Sequence, residues 1–142
     1  MATRSTIALE FADGTVQQVY CHWDGYLDNN GKLLQENYTD AFKLRELMDL
    51  GDLSSLGERI GTQHAFDKAP EGECTFYKRD RGETGTEAKK FANFEDYKAN
   101  HQYEEYEYIL RNVDGTATWF VADHSDKYVT LAEAFASVKE TA

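Results

Sequence analysis

The chain is short of the residues on which several protein classes depend. It has only two cysteines, Cys21 and Cys74, and neither sits in a C-x-x-C pair. That is too few for a disulfide framework, so both are read as reduced thiols of a cytoplasmic protein. Proline is rarer still: Pro70 stands alone and parts the first half of the chain from the middle. No run approaches the roughly 18 apolar residues of a membrane-spanning helix, and MATRSTIALEF lacks the apolar stretch of a secretory leader. Basic side chains are outnumbered, 15 Lys and Arg against 26 Asp and Glu, for a formal charge of −11. Such a surface repels nucleic acid and anionic membrane, and is drawn to basic protein surfaces, including those that hold DNA or RNA. The phosphate-cradling patterns G-x-G-x-x-G and G-x-x-x-x-G-K-[ST] do not occur, nor does the G-x-S-x-G nucleophile elbow. No cofactor is expected.

What is present is the composition of a folded domain. Hydrophobic residues make up 41 % and aromatics 13 %, enough for a chain of this length to bury one core. A single domain over residues 1–142 is expected. STIALEF (5–11) alternates apolar and polar residues, ADGT (12–15) is turn chemistry, and VQQVYCHW (16–23) alternates again, which predicts a β-hairpin. DGYLDNNGK (24–32) reads as a polar loop. Thr39 can cap a helix from about Asp40 to Leu50, whose Leu44, Leu47 and Met48 form an apolar stripe ended by Gly51. Residues 52–61 read as a short turn of helix and a connector, and CTFYKR (74–79) as a strand entering a charged loop, 80–90. Asn93 caps a short helix. EYEYILRN (105–112) and ATWFVAD (117–123), joined by VDGT, predict a second Asp-Gly hairpin. Thr130 and Glu133 form a capping box for the last helix, striped by Leu131, Ala134, Phe135 and Val138.

The hairpins resemble each other: both carry an Asp-Gly-Thr turn, an aromatic strand and a terminal His-x-Asp-x-Tyr, and each precedes a Thr-capped helix. A duplicated ββα unit would explain this. The expected class is α+β, an antiparallel sheet built from the two hairpins with two or three helices packed on one face.

Three clusters are candidate sites. In YCHWDGY (20–26), His22 and Asp24 stand two apart on a predicted strand and share a face, as a carboxylate-oriented general base requires; His124 and Asp126 repeat the pattern. A metal site needs three or four converging ligands, so none is assigned. In YKRDRGETG (77–85), Lys78, Arg79 and Arg81 gather in an otherwise acidic chain. Guanidinium forks suit phosphate or carboxylate, and Tyr20, His22, Trp23, Asp24 and Tyr26 could complete a nucleotide pocket by stacking and hydrogen bonding. The alternative is a loop whose arginines pair with Asp80, Glu83 and Glu87. In YEEYEYIL (103–110), Glu104, Glu105 and Glu107 are candidate partner contacts. Glu105 and Glu107 would lie about 6.8 Å apart on one strand face, a spacing like that of successive phosphates, while Tyr106 and Tyr108 anchor the other face.

TRSTIALEFADGTVQQVYCHWDGYLDNNGKLL (3–34), with NYTD (37–40), LGDLSSLG (50–57) and FYKRDRGE (76–83), resembles a family of small accessory proteins encoded by tailed bacteriophages and prophages. The resemblance rests on TRS-x-I, YCHWDGY and RDRGE and covers about the first 85 residues. It implies a viral accessory protein in the host cell cytoplasm, of a kind that often counters host defence, and it assigns no functional residues.

Three functional readings follow, in order of preference. The first is a non-enzymatic binding protein whose acidic, DNA-mimicking surface blocks a host protein with a basic face. The second is a sponge for a nucleotide immune signal, favoured by homo-oligomerisation. The third is a small hydrolase using His22 and Asp24. Direct binding of nucleic acid or membrane is not expected.

Overall fold

The computed structural model describes residues 3–101, 104–123 and 127–141. Alternation and turn chemistry set two hairpins. Strands β1 (Ser5–Glu10) and β2 (Val16–Cys21) pair antiparallel from Ser5 opposite Cys21 to Glu10 opposite Val16. Strands β6 (Tyr106–Val113) and β7 (Thr116–Asp123) pair from Tyr106 opposite Asp123 to Val113 opposite Thr116. Their two-residue connection, Asp114-Gly115, has φ of 52° and 85°. Two left-handed residues match the natural twist of a hairpin, and Asp-Gly is the pair that adopts them at least cost.

The hairpins join through their first strands, and this seam is parallel: Ser5 lies opposite Tyr106, Ile7 opposite Tyr108, Leu9 opposite Leu110. Short strands extend the sheet: β3 (Leu53–Ser55), β4 (Thr75–Phe76), β5 (Lys89–Phe91) and β8 (Val129–Thr130). The order is β4-β3-β2-β1-β6-β7-β8, with β5 also on β2. The fold is α+β, as expected, but its sheet is mixed, since β1–β6 and β2–β3 run parallel where antiparallel pairing alone was predicted. Nor is it a repeat. About the β1–β6 seam the hairpins are arranged as mirror images, with β2 outside one first strand and β7 outside the other. Rotating one hairpin onto the other would turn its helix to the opposite face, yet the helices after both hairpins pack on the same side.

Those helices are α1 (Lys32–Asn37), entered through a wide π turn at Leu27–Gly31, α2 (Ala41–Leu50) and α5 (Leu131–Thr141). Leu34, Leu44, Leu47, Met48 and Leu131 meet Ile7, Leu9, Val19, Tyr108, Leu110 and Trp119 in the main core. A further helix, α4 (Phe94–Asn100), covers the other face, where Phe91 and Tyr97 pack on Ala8, Val16 and Ile109. Helices thus lie on both faces, not one, because β1 and β6 bury residues on both sides and need two covers.

Local chemistry explains most boundaries. Asp40, rather than Thr39, caps α2 by accepting the Phe42 amide at 2.9 Å. Asn93 caps α4, accepting the Asp96 amide at 2.8 Å. Thr130 caps α5 as expected, its hydroxyl accepting the Glu133 amide at 3.1 Å, while Glu133 returns to that hydroxyl at 2.9 Å and not to the backbone amide of a full capping box. The polar stretch 24–32 is not a loop throughout but contains the π turn. Residues 53–55, expected as a helical turn, form β3 because Leu53 is claimed by Cys21 on one side and Phe76 on the other. The predicted strand 74–79 stops at Phe76, and Tyr77–Arg81 form a short helix, α3.

Candidate functional site

YCHWDGY is chiefly the corner where the sheet meets its first helical layer. Strand β2 ends at Cys21. His22 and Trp23 then dock on β3 through the carbonyls of Leu53 and Ser54, at 3.1 and 2.9 Å. Asp24 takes a left-handed φ of 55° and turns the chain inward. Gly25 passes so close to β1 that a Cβ would lie 2.7 Å from Ser5 Cβ and 2.8 Å from the Thr3 carbonyl. The buried Tyr108 hydroxyl donates to the Gly25 carbonyl at 2.6 Å and fastens this corner to β6.

The His22–Asp24 pair expected from strand spacing is therefore not formed, since Asp24 lies beyond the strand. His22 Nδ1 instead shares a 2.6 Å hydrogen bond with the Tyr20 hydroxyl, which burial pushes up to about 12. The imidazole also meets Trp23 edge-on, 4.8 Å between centroids. Trp23 and Tyr26 are the exposed aromatics of the segment, at 45 % and 41 %. His124 and Asp126 lie outside the described residues. Among the described residues no three His, Cys, Asp or Glu side chains converge as metal ligands would.

The basic cluster is adjacent but differs from the expected phosphate clamp. Asp52, just before β3, bridges the two segments: it accepts the Tyr20 amide on its carboxylate at 2.9 Å and the Tyr77 amide on its carbonyl at 3.2 Å. Because residues 77–81 are helical, Arg79 and Arg81 do not share a strand face. Arg79 is spent internally. Its guanidinium grips Asp80 at 3.0 and 3.1 Å and donates to the carbonyls of Ile60, Gly61 and Cys74 at 2.9, 3.2 and 3.0 Å. Arg81 pairs with Glu83 and lies over the rings of Phe66 and Tyr77 at 4.5 and 5.2 Å. Lys78 is exposed. Of the three cations expected to hold phosphate, Arg79 is unavailable.

The acidic ladder is also broken. Tyr106 and Tyr108 stack on the core face of β6, 6.2 Å apart, so Glu107 points to the other face. There α4 covers it: Glu107 is fully buried, its Oε2 2.6 Å from His101 Nδ1. It presents nothing to a partner. Glu105 precedes the strand and accepts the Arg4 amide at 3.4 Å, while Glu104 is half-buried. The sequence offered Glu105 and Glu107 as equivalents, and only packing by α4 separates them.

Two features went unseen in the sequence. One is the Asp80 hub. Its carboxylate also accepts the amides of Phe76 and His64 at 2.8 and 3.1 Å, and the His64 ring lies 3.6 Å away. Burial opposes its charge, yet the Arg79 bonds and these amides outweigh burial and hold it below the usual carboxylate range. His64 is raised by the carbonyls of Ala65 and Cys74, 2.8 and 3.0 Å from its two nitrogens. The hub pins the irregular 61–74 segment to β4. The other is a cleft beside α2, at which Phe42 is 82 % exposed; a phenylalanine at the open end of an amphipathic helix was its one sequence signal.

No protein-family model, curated protein or solved structure matches this chain. No helix among the described residues is long and apolar enough to cross a membrane.

Proposed function

We propose that the chain is a viral accessory protein that acts by binding. Its negatively charged exterior occupies the basic, nucleic-acid-handling surface of a bacterial host protein in the host cytoplasm and inhibits it. The observation that carries this reading is where the charge sits. Of the described acidic side chains only Asp80 and Glu107 are buried, so the excess behind the −11 charge stays at the surface. Several cations are meanwhile neutralised within the chain: Arg79 by Asp80, Arg111 by Glu10 at 3.2 Å, Lys98 by Glu95 at 3.2 Å. The mimicry does not need Glu107. It draws on carboxylates of the helical layer and its turns, among them Asp28, Glu36, Glu46 and Asp49, all exposed.

The test is retention from bacterial lysate on the immobilised chain at low salt, followed by elution with duplex DNA. Retained proteins that are basic, and that DNA and high salt both displace, are the expected result. No retention at low salt, or retention indifferent to salt and DNA, contradicts the proposal.

A second reading, sequestration of a nucleotide signal, is favoured by one observation: β3 brings the exposed Trp23 to the same sheet edge as Lys78 and Arg81. Without Arg79 it has less to hold a phosphate. Thermal stabilisation by a cyclic nucleotide or an ADP-ribose, lost in Trp23→Ala, supports it, and flat melting across such a panel removes it.

A further inference from the structure

The cleft beside α2 is walled by Leu9, Phe11, Phe42 and Leu110 and encloses about 270 Å³. It lies at the Leu9–Leu110 end of the β1–β6 pair, away from the Ser5 end at which Cys21 leads into YCHWDGY. Its polar rim is uneven. Arg111 is neutralised by Glu10 through two contacts, at 3.2 and 3.3 Å, and lies over Phe94 at 3.7 Å. Arg45 is exposed, lies 5.8 Å from the Phe11 ring centroid, and makes no ion pair with a described carboxylate. An adjoining depression of about 420 Å³ shares Phe11, Ala12 and Arg45 with the cleft and continues to Asp13, Gln17 and Asp49. Along this groove the wall is first apolar, then cationic, then acidic.

Phe42, at 82 %, is the most exposed of the large apolar side chains, well above Trp23 at 45 % and Tyr26 at 41 %, and an exposed phenylalanine over an apolar cleft marks an interaction site. The order of the wall specifies the occupant by complementarity. We infer that the groove binds an extended peptide segment of a partner protein. An apolar side chain of that segment fills the cleft under Phe42, a carboxylate next to it pairs with Arg45, and a basic residue beyond reaches Asp49. Asp13 contributes less, because its carboxylate already accepts the Thr15 amide and hydroxyl at 3.0 and 2.7 Å. Elongation of the groove past Arg45 favours a peptide over a compact small molecule. The groove shares Asp49 with the acidic surface, but its apolar cleft and Arg45 do not depend on that surface.

A random-peptide display library selected on the intact chain tests this directly. The expected result is a consensus of apolar, acidic and basic residues in that order. A synthetic peptide of that consensus should lose at least tenfold in affinity on Arg45→Glu or Phe42→Ala and be unchanged on Lys78→Glu, with all three variants melting as the parent does. Three outcomes would each overturn the proposal. One is no enrichment over an Arg45→Glu selection. Another is an apolar consensus that binds Arg45→Glu as well as the parent. The third is a dimer in sedimentation that Phe42→Ala dissolves, which would assign the face to self-association.

Discussion

At Gly25 a single missing methyl decides whether the corner closes. Ser5 Cβ and the Thr3 carbonyl leave no room for a side chain there, and the backbone of β1 cannot yield without breaking its register with both neighbours. Gly25→Ala should therefore destabilise by about 1–3 kcal/mol in urea unfolding. Tyr108→Phe, which strands the Gly25 carbonyl, should cost about 1 kcal/mol. A neutral Gly25→Ala would mean the corner is looser than described. His64 offers a pH test. Its raised pKa means its contribution is fully present below its ordinary value of 6.5 and lost as pH rises through the folded value. Asp80, lowered, contributes above 3.8 and loses that contribution as pH falls through its folded value. The urea-midpoint gap between wild type and His64→Gln should thus be widest at about pH 5 and narrow as pH climbs beyond the ordinary histidine value through the raised folded one. A gap constant across that range would show that His64 is not charged in the hub.

Helix α3 shows how one element can be held by a single side chain. Arg79→Ala removes five hydrogen bonds and leaves the buried Asp80 carboxylate without its cation, a loss of about 3–5 kcal/mol. Arg81→Ala removes an exposed pair and should cost under about 1 kcal/mol. Equal effects on unfolding would contradict the division between a buried clamp and a surface contact. This contrast also marks how far the sequence could be read. Elements with local signals were legible: the two Asp-Gly hairpins, the stripe and cap of α2, and the Thr130 cap of α5. Strand β3 was not, because only pairing with Cys21 and Phe76 makes Leu53 extended. The same holds for sites. Lys78, Arg79 and Arg81 look alike in one dimension, and only the carbonyls of Ile60, Gly61 and Cys74, distant in sequence, single out Arg79. His22 and Asp24 seemed a pair because strand spacing was extended past Cys21, where the left-handed Asp24 breaks it.

At the scale of the molecule, helices cover both faces of the sheet, and the proposed function rests on the charge left outside. The buried contact of His101 with Glu107 removes one carboxylate from the surface, and the Asp80 hub another, yet the other described acidic side chains are not buried. Electrostatic association of this kind is screened by salt. The screening length shortens from about 10 Å at 0.1 M to about 3 Å at 1 M. The most direct measurement is the dissociation constant of the chain for a purified partner retained from lysate, followed as ionic strength rises over that range with duplex DNA as competitor. An acidic surface acting in place of nucleic acid predicts more than a tenfold weakening with salt and mutually exclusive binding with DNA. An affinity unmoved by salt, or a ternary complex with DNA, would contradict it.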